Sequence, residues 1–438
     1  MIQSLLKIIH NFSRNTVQLS DVAKKTASLG IKPLFPTIKK HQLKTTTLHH
    51  LIASAFSLLL IVTGCTEQSE SITNEEQESN IYEKYQLKKA DELVLDAFNE
   101  SDVVILGENH FIREQVLFVA DLIPHLYEHG VYKIYSEFTY LDDAELVDEL
   151  INADVFDEQL AKNLLVRSGW DWTYQEYMEL YRSAWALNKT ISDGKKFQII
   201  GLELGRNHDA IQSPEDWQKS ANRMAYFRES EEDWATRIIS ETVDQGEKAL
   251  VYCGYNHGLT FYRQPVVSNN KLIRLAGKER VGQHLHERLK DNCKYLLLHA
   301  GWEPKSGSNT PIAPLNGRLD QLVDSLTEEH KSYGFYTEKS SLGSVIDTSA
   351  FFSWGYPDFK LTDLCDGYIV VETICESNLC GFIPNFIDSS NIEIARPQVR
   401  AWENIQNISI EDANNMLDNW YQEQRQSFEA DKTELGCK

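Results

Sequence analysis

The chain alternates short apolar runs with longer stretches in which apolar residues recur every three or four positions. The runs are Val103–Leu106, Val131–Ser136, Phe197–Leu202, Ala249–Cys253, Tyr295–Leu298 and Tyr368–Val371. Near-continuous apolarity over so few residues marks a strand buried on both faces, as in a parallel sheet. Between the runs, Arg113–His129, Thr173–Asn188 and Glu231–Gln245 carry the helical period. The alternation predicts an α/β fold with a mainly parallel sheet and helices on both faces. Residues 303–316 (EPKSGSNTPIAPLN) read as a loop, and residues 409–428 as a C-terminal helix with Ser409 at its N-cap.

The polar residues that close these runs form a pattern of their own. Gly-x-x-His ends two of them, as Gly107-Glu108-Asn109-His110 and as Gly254-Tyr255-Asn256-His257. A glycine after a buried strand allows a sharp turn, and the side chains that follow stand at the carboxyl edge of the sheet, where open α/β folds place their chemistry. The run ending in SEF closes on Glu137, the next on Glu203, and the fifth on His299. If the strands are parallel, these groups gather along one edge.

A carboxylate beside an imidazole is a minimal kit for activating water, because the carboxylate orients the ring and stabilises its charged form. Glu108 and His110 are two residues apart and can face one cleft, with Glu137 holding the ring or the water. His257 can serve as a second base, as an acid for the leaving group, or as a donor to an oxyanion. His110, Glu137 and His257 are equally a possible divalent-metal set, so metal-free and metal-assisted hydrolysis both stay open. Other residues have structural readings. Glu137 can cap the following helix, Glu203 can pair with Arg206, and His299 reads as a core histidine. Trp170, Trp172, Tyr174, Tyr177 and Tyr181 read as helix packing first and as a ligand wall second, and the acidic run Glu229–Asp233 as a solvated helix face.

Composition changes the picture at the N-terminus. Of 438 residues 42% are hydrophobic and 25% charged, as in a soluble globular protein, and the net charge is −22. Residues 1–65 hold eight Lys or Arg and one acid; without them the chain carries 35 basic and 64 acidic residues, a net charge of −29. So acidic a surface repels phosphate backbones and argues against nucleic-acid binding. Leu51–Val62 is apolar apart from two serines and runs into Val62-Thr63-Gly64-Cys65. It is too short to span a bilayer and suits a signal-peptide core. The small residues before Cys65 resemble a bacterial lipobox, in which the cysteine becomes the lipidated first residue. Residues 1–42 are then an over-long leader, and Leu43 onward would suffice as a signal. The expected organisation is an extension plus lipoprotein signal over 1–65, a disordered acidic tether over 66–81, an α/β domain over 82–400, and a C-terminal helix and tail over 401–438. Cys375 and Cys380 are close enough in sequence to close a small disulfide loop, whereas Cys253 reads as a buried thiol.

The order strand–GENH, strand–SEF, W-x-x-x-Y helix, strand–IIGLE, acidic helix, strand–GYNHG resembles the superfamily of erythromycin esterase, the ChaN haem-uptake lipoproteins and the Tiki/TraB proteins over roughly residues 95–300. That resemblance implies a site at strand ends built from Glu108, His110, Glu137 and His257, and an arginine before the second motif, for which Arg228 is the nearest candidate. It implies an esterase-like or metal-dependent, protease-like hydrolase acting on a small-molecule or peptide substrate. The alternative it offers is a lipoprotein that binds haem or a divalent metal ion without turnover, although no tyrosine here matches the haem ligand of that branch. With Cys65 lipidated, the membrane is the expected partner and the bacterial cell envelope, on its outer membrane, the expected location.

Overall fold

All six apolar runs become strands, and each pairs in parallel with at least one other. The structure, a computed structural model, describes residues 74–308 and 310–437. The signal segment, Cys65 and the tether up to residue 73 lie outside the described residues. The strands are β1 (Lys88–Lys89), β2 (Val103–Glu108), β3 (Lys133–Tyr140), β4 (Gln198–Glu203), β5 (Ala249–Gly254), β6 (Pro265–Ser268), β7 (Lys271–Leu275), β8 (Cys293–Leu298), β9 (Tyr333–Tyr336) and β10 (Gly367–Val370). The helices that position the site are α1 (Asn74–Tyr85), α2 (Ala90–Glu100), α3 (Arg113–Glu128), α4 (Ala144–Asn152), α5 (Glu158–Ser168), α6 (Gln175–Thr190), α7 (Ser220–Phe227), α8 (Glu231–Glu241), α9 (Tyr255–Gly258), α10 (Val281–Leu289), α11 (Arg318–Val323), α12 (Ile392–Glu403) and α13 (Ile410–Glu434).

Eight strands form one sheet in the order β1-β9-β10-β8-β2-β5-β3-β4. Only β9 runs against its neighbours β1 and β10. Alternate residues of each strand feed two cores. Val104, Leu106, Leu250 and Tyr252 pack with α2, α3, α5 and α6 on one face. Val103, Ile105, Val251 and Cys253 pack with α8, α10 and α11 on the other. A single hand of crossover requires that a connection reversing direction along the sheet also change face. The chain obeys this. From β2 through β3 to β4 its helices lie on the first face; returning to β5 and on to β8 they lie on the second. β5 therefore sits between β2 and β3, whose following helices depart to the opposite face, and such a switch opens a crevice at the carboxyl ends of the strands.

Three expectations need correcting. Residues 74–81, read as tether, are the first turns of α1, docked where buried Glu78 accepts from the Thr327 N–H at 2.7 Å and meets His330 at 3.2 Å. A run of acids reads as disorder only until one of them finds buried donors. The motif glycines do not make turns, because Gly107 and Gly254 are the penultimate residue of β2 and the last of β5. Their use is close approach. A Cβ on Gly107 would lie 2.7 Å from the Tyr295 hydroxyl, and one on Gly254 2.6 Å from the His110 ring. The third correction is the disulfide. Cys375 joins Cys437, 62 residues away, and fastens the end of α13 to the loop after β10, while Cys380 is a buried free thiol like Cys253. Ser409 caps α13 as expected, accepting from the Asp412 N–H.

Closing a loop of this length removes about 4 kcal/mol of unfolded-state entropy. Peptide mapping without reductant is therefore expected to link the Cys375 and Cys437 peptides. Cys437→Ser should lower the unfolding free energy measured by denaturant titration, by no more than that amount. A Cys375–Cys380 peptide would contradict this pairing.

Candidate active site

Parallel pairing of β2 with β5 sets Glu108 directly opposite Gly254, so the two Gly-x-x-His copies are out of step by one residue. Side chains alternate between faces along a strand, and the equivalent glycines consequently look to opposite faces. Gly107 faces Tyr295; Gly254 faces His110 and Glu137. The bare Cα of Gly254 leaves the space that the His110 ring occupies.

Glu108 is fully buried yet well supplied with donors. The Tyr177 hydroxyl of α6 donates to Oε1 at 2.6 Å, and the Tyr252 hydroxyl of β5 donates to Oε2. Tyr177 also accepts from the Phe111 N–H at 3.1 Å. His110 Nδ1 lies 2.8 Å from Glu108 Oε1. A carboxylate only accepts, so this contact assigns the proton to Nδ1 and leaves Nε2 as the free nitrogen. The ring stands edge-on to Phe138 and Trp172, at 5.8 and 5.5 Å, with about a third of the side chain (35%) exposed. Burial works against its protonation. The hydrogen bond it donates to Glu108 and the charges of Glu137 and Glu108 outweigh that, and its pKa is raised above the usual histidine value.

Glu137, in β3, accepts the Gly254 N–H at 2.7 Å and stands 3.5 Å from His257 Nε2. It lies within the strand and caps no helix. Burial acts to raise its pKa, but His257, His110 and the Gly254 N–H prevail, and its carboxyl is held below the ordinary range. His257 lies on α9, with its Nδ1 3.0 Å from Glu231 of α8. That N–H points off the oxygen and makes no hydrogen bond, so the contact is an ion pair without alignment. Desolvation disfavours the charged ring, yet Glu137 and Glu231 together push its pKa up to about 9.

Glu231 is the residue that sequence reasoning missed. In the Glu229–Asp233 run Ser230, Glu232 and Asp233 are exposed as expected, but Glu229 and Glu231 turn inward. Glu231 accepts from Arg280 at 3.1 Å and from the Val281 N–H at 2.8 Å, and Glu229 is buried against Arg237. The usable signal was Ser230, whose capping box with Asp233 fixes the start of α8 and so turns Glu231 toward the sheet. Tyr177, read as helix packing first and a ligand wall second, and Tyr252, read only as part of an apolar run, both donate to Glu108.

Arg228 is not part of the centre. It ends α7 with φ of 64°, and its guanidinium binds Asp142 and, at 2.8 Å, the Gly205 carbonyl. The cations near the centre are Arg280, on Glu231, and Arg206. The latter pairs with Glu203 at 2.7 Å, as expected, and its charge acts on Glu137. His299 is a core histidine, between the Tyr368 hydroxyl at 3.1 Å and Asp320 at 3.3 Å. Among the described residues no group of three or more His, Cys, Asp and Glu is arranged to hold a metal ion. The candidate ligands are spent on one another: Glu108 on two hydroxyls and a ring, His257 on two carboxylates. His110, Glu137 and His257 therefore do not make the metal set that spacing allowed.

Two cavities adjoin the centre. One, of about 310 Å³, is lined by Asn109, Asn256, Gln264 and Trp302. The other, of about 540 Å³, is lined by Trp172, which touches His110, and by Arg206. The two motif rings themselves line neither.

No protein-family model matches the chain, and no curated protein matches it. Solved structures resemble it in fold alone. A succinoglycan biosynthesis protein aligns at 12% identity over 71% of this chain and 99% of its own, with a TM-score of 0.43. A mutant of the erythromycin esterase EreC in its open conformation aligns at 15% identity over 67% and 95%, with a TM-score of 0.40. ChaN of Campylobacter jejuni, with cofacially bound haem, aligns at 12% identity over 48% and 85%, with a TM-score of 0.32.

Proposed function

We propose that the chain is a hydrolase of an ester or amide bond that uses two histidines in opposite protonation states. The observation that carries this reading is the pair itself. His110 is oriented by Glu108 with Nε2 free, and His257 is held protonated between Glu137 and Glu231. Neutral His110 takes a proton from water at Nε2, and Glu108 stabilises the imidazolium that forms. The hydroxide so generated attacks the carbonyl carbon. His257, carrying its proton, stabilises the developing oxyanion by its positive charge. The His110 imidazolium then returns its proton to the leaving alkoxide or amine, which restores the resting state. A ring with a pKa of about 9 cannot be the base at neutral pH, which leaves His257 the donor roles. For the metal-binding part of the second reading, a haem- or metal-binding lipoprotein without turnover, no group of three or more His, Cys, Asp and Glu among the described residues is arranged to hold an ion.

The envelope location belongs to the proposal as well. Lipidation of Cys65 would tether the domain to the membrane surface and confine its substrates to molecules outside the cytoplasm. No described helix is long and apolar enough to cross a membrane.

Three outcomes are expected. With a generic ester, kcat/KM should rise with pH as His110 deprotonates, at a value above the usual 6.5, and fall again through about 9 as His257 loses its proton. Glu231→Gln removes one carboxylate that raises His257, so the alkaline limb should move to lower pH. A profile flat from pH 6 to 10 would contradict the assignment. Second, His110→Ala and His257→Ala should each lower kcat by about 10²–10⁴-fold, with circular dichroism unchanged, and the double variant should be little worse than the poorer single. Fully additive losses would mean that the rings do not act together. Third, cells expressing the full chain should incorporate labelled fatty acid into it, and Cys65→Ser should abolish the label. Equal labelling of the two would refute the anchor.

A further inference from the structure

The cavity of about 540 Å³ beside His110 has an aromatic wall and an acidic rim. Trp170, Trp172 and Trp420 form one side, Tyr226 and Trp402 another. The aromatic wall is continuous with the centre: Trp172 stands edge-on to His110 at 5.5 Å, and Phe111 links it, at 5.0 and 6.0 Å, to Trp420. Trp402 is held in place from behind, its ring 4.3 Å from that of Trp217 and its indole N–H on the Tyr226 hydroxyl at 3.2 Å. Even so, 49% of it is exposed. A large aromatic braced by a second indole yet open to solvent is ready-made contact surface.

Asp171, Glu403 and Glu423 line the same space. None of them forms an ion pair with a described residue, and the half-buried Asp171 carboxylate accepts from no other side chain. Burial, with Glu403 nearby, raises the Asp171 carboxyl above its ordinary pKa. The one cation in the wall, Arg206, pairs with Glu203 and lies over the faces of Tyr226 and Phe227, at 5.8 and 5.1 Å, with its Nε left unpartnered. One guanidinium therefore serves four carboxylates. Aromatic faces and unneutralised carboxylates both favour the same guest, an organic cation, and the net charge of −22 draws such molecules in. An anion would meet like charge, and a neutral guest would leave the carboxylates uncompensated.

We propose that this cavity binds a protonated or quaternary alkylammonium group, with Asp171 as its counter-charge and Trp172, Tyr226, Trp402 and Trp420 as its walls. On the hydrolase reading the ammonium belongs to the molecule cleaved, because the cavity opens beside His110, and the substrate class is an amine-bearing ester or amide. Binding itself does not rest on that reading.

Calorimetric titration with choline and with its neutral carbon isostere, dimethylbutanol, tests the site. The wild-type protein should bind choline saturably and the isostere about tenfold more weakly or worse. Asp171→Asn should erase the difference, and Trp402→Ala, at an exposed position, should weaken choline with the fold intact. His110→Ala should bind choline as the wild type does. Choline binding without turnover of any ester would sink the hydrolase reading and leave this one standing. Turnover without preference for choline over its isostere, or a preference that survives Asp171→Asn, would overturn this one.

Discussion

The site depends on the absence of one methyl-sized group. β2 and β5 pair in parallel with Glu108 opposite Gly254, and the His110 ring packs against that glycine at a distance no Cβ allows. The same residue gives its N–H to Glu137. One backbone position thus makes room for the first imidazole and fixes the carboxylate shared with the second. The register that puts it there is secured by six consecutive pairs between two fully buried strands. Slipping by one residue would turn every side chain of one strand to the wrong core.

Much of this was legible because a parallel strand covered on both faces has to be apolar nearly throughout. The six runs were found for that reason, and their closing residues then fell on one edge. What the pattern hid was of a different kind. β1 is two residues long and β9 four, both on the outer side of β10, and Lys88-Lys89 carries no apolar signal at all. The exposed hairpin β6–β7 faces solvent along the whole of β7 and so is not driven by burial. Glu231 looked like one acid among several because its partners, Arg280 and His257, are distant in sequence and arrive only through the packing of α8 against α10. The Cys375–Cys437 link was hidden for the same reason, since nearness in sequence says little about which thiols the fold brings together.

The two repeats are not two copies of one device. In the first, the residue after glycine is Glu108, which supplies its own histidine with a partner two positions away. In the second, that position is Tyr255, and the histidine follows on a short helix rather than a turn. His257 therefore has no carboxylate of its own and takes two from other elements, Glu137 and Glu231. Glu137 acts on both rings, so each imidazole feels two carboxylates and both are pushed toward the cation. Glu108, by contrast, spends most of its accepting capacity on Tyr177 and Tyr252, so His110 feels a carboxylate already partly satisfied. The second motif position, glutamate against tyrosine, thus decides whether each imidazole finds a carboxylate within its own motif or only on other elements. The inequality between the two rings follows from where each must look for its negative charge.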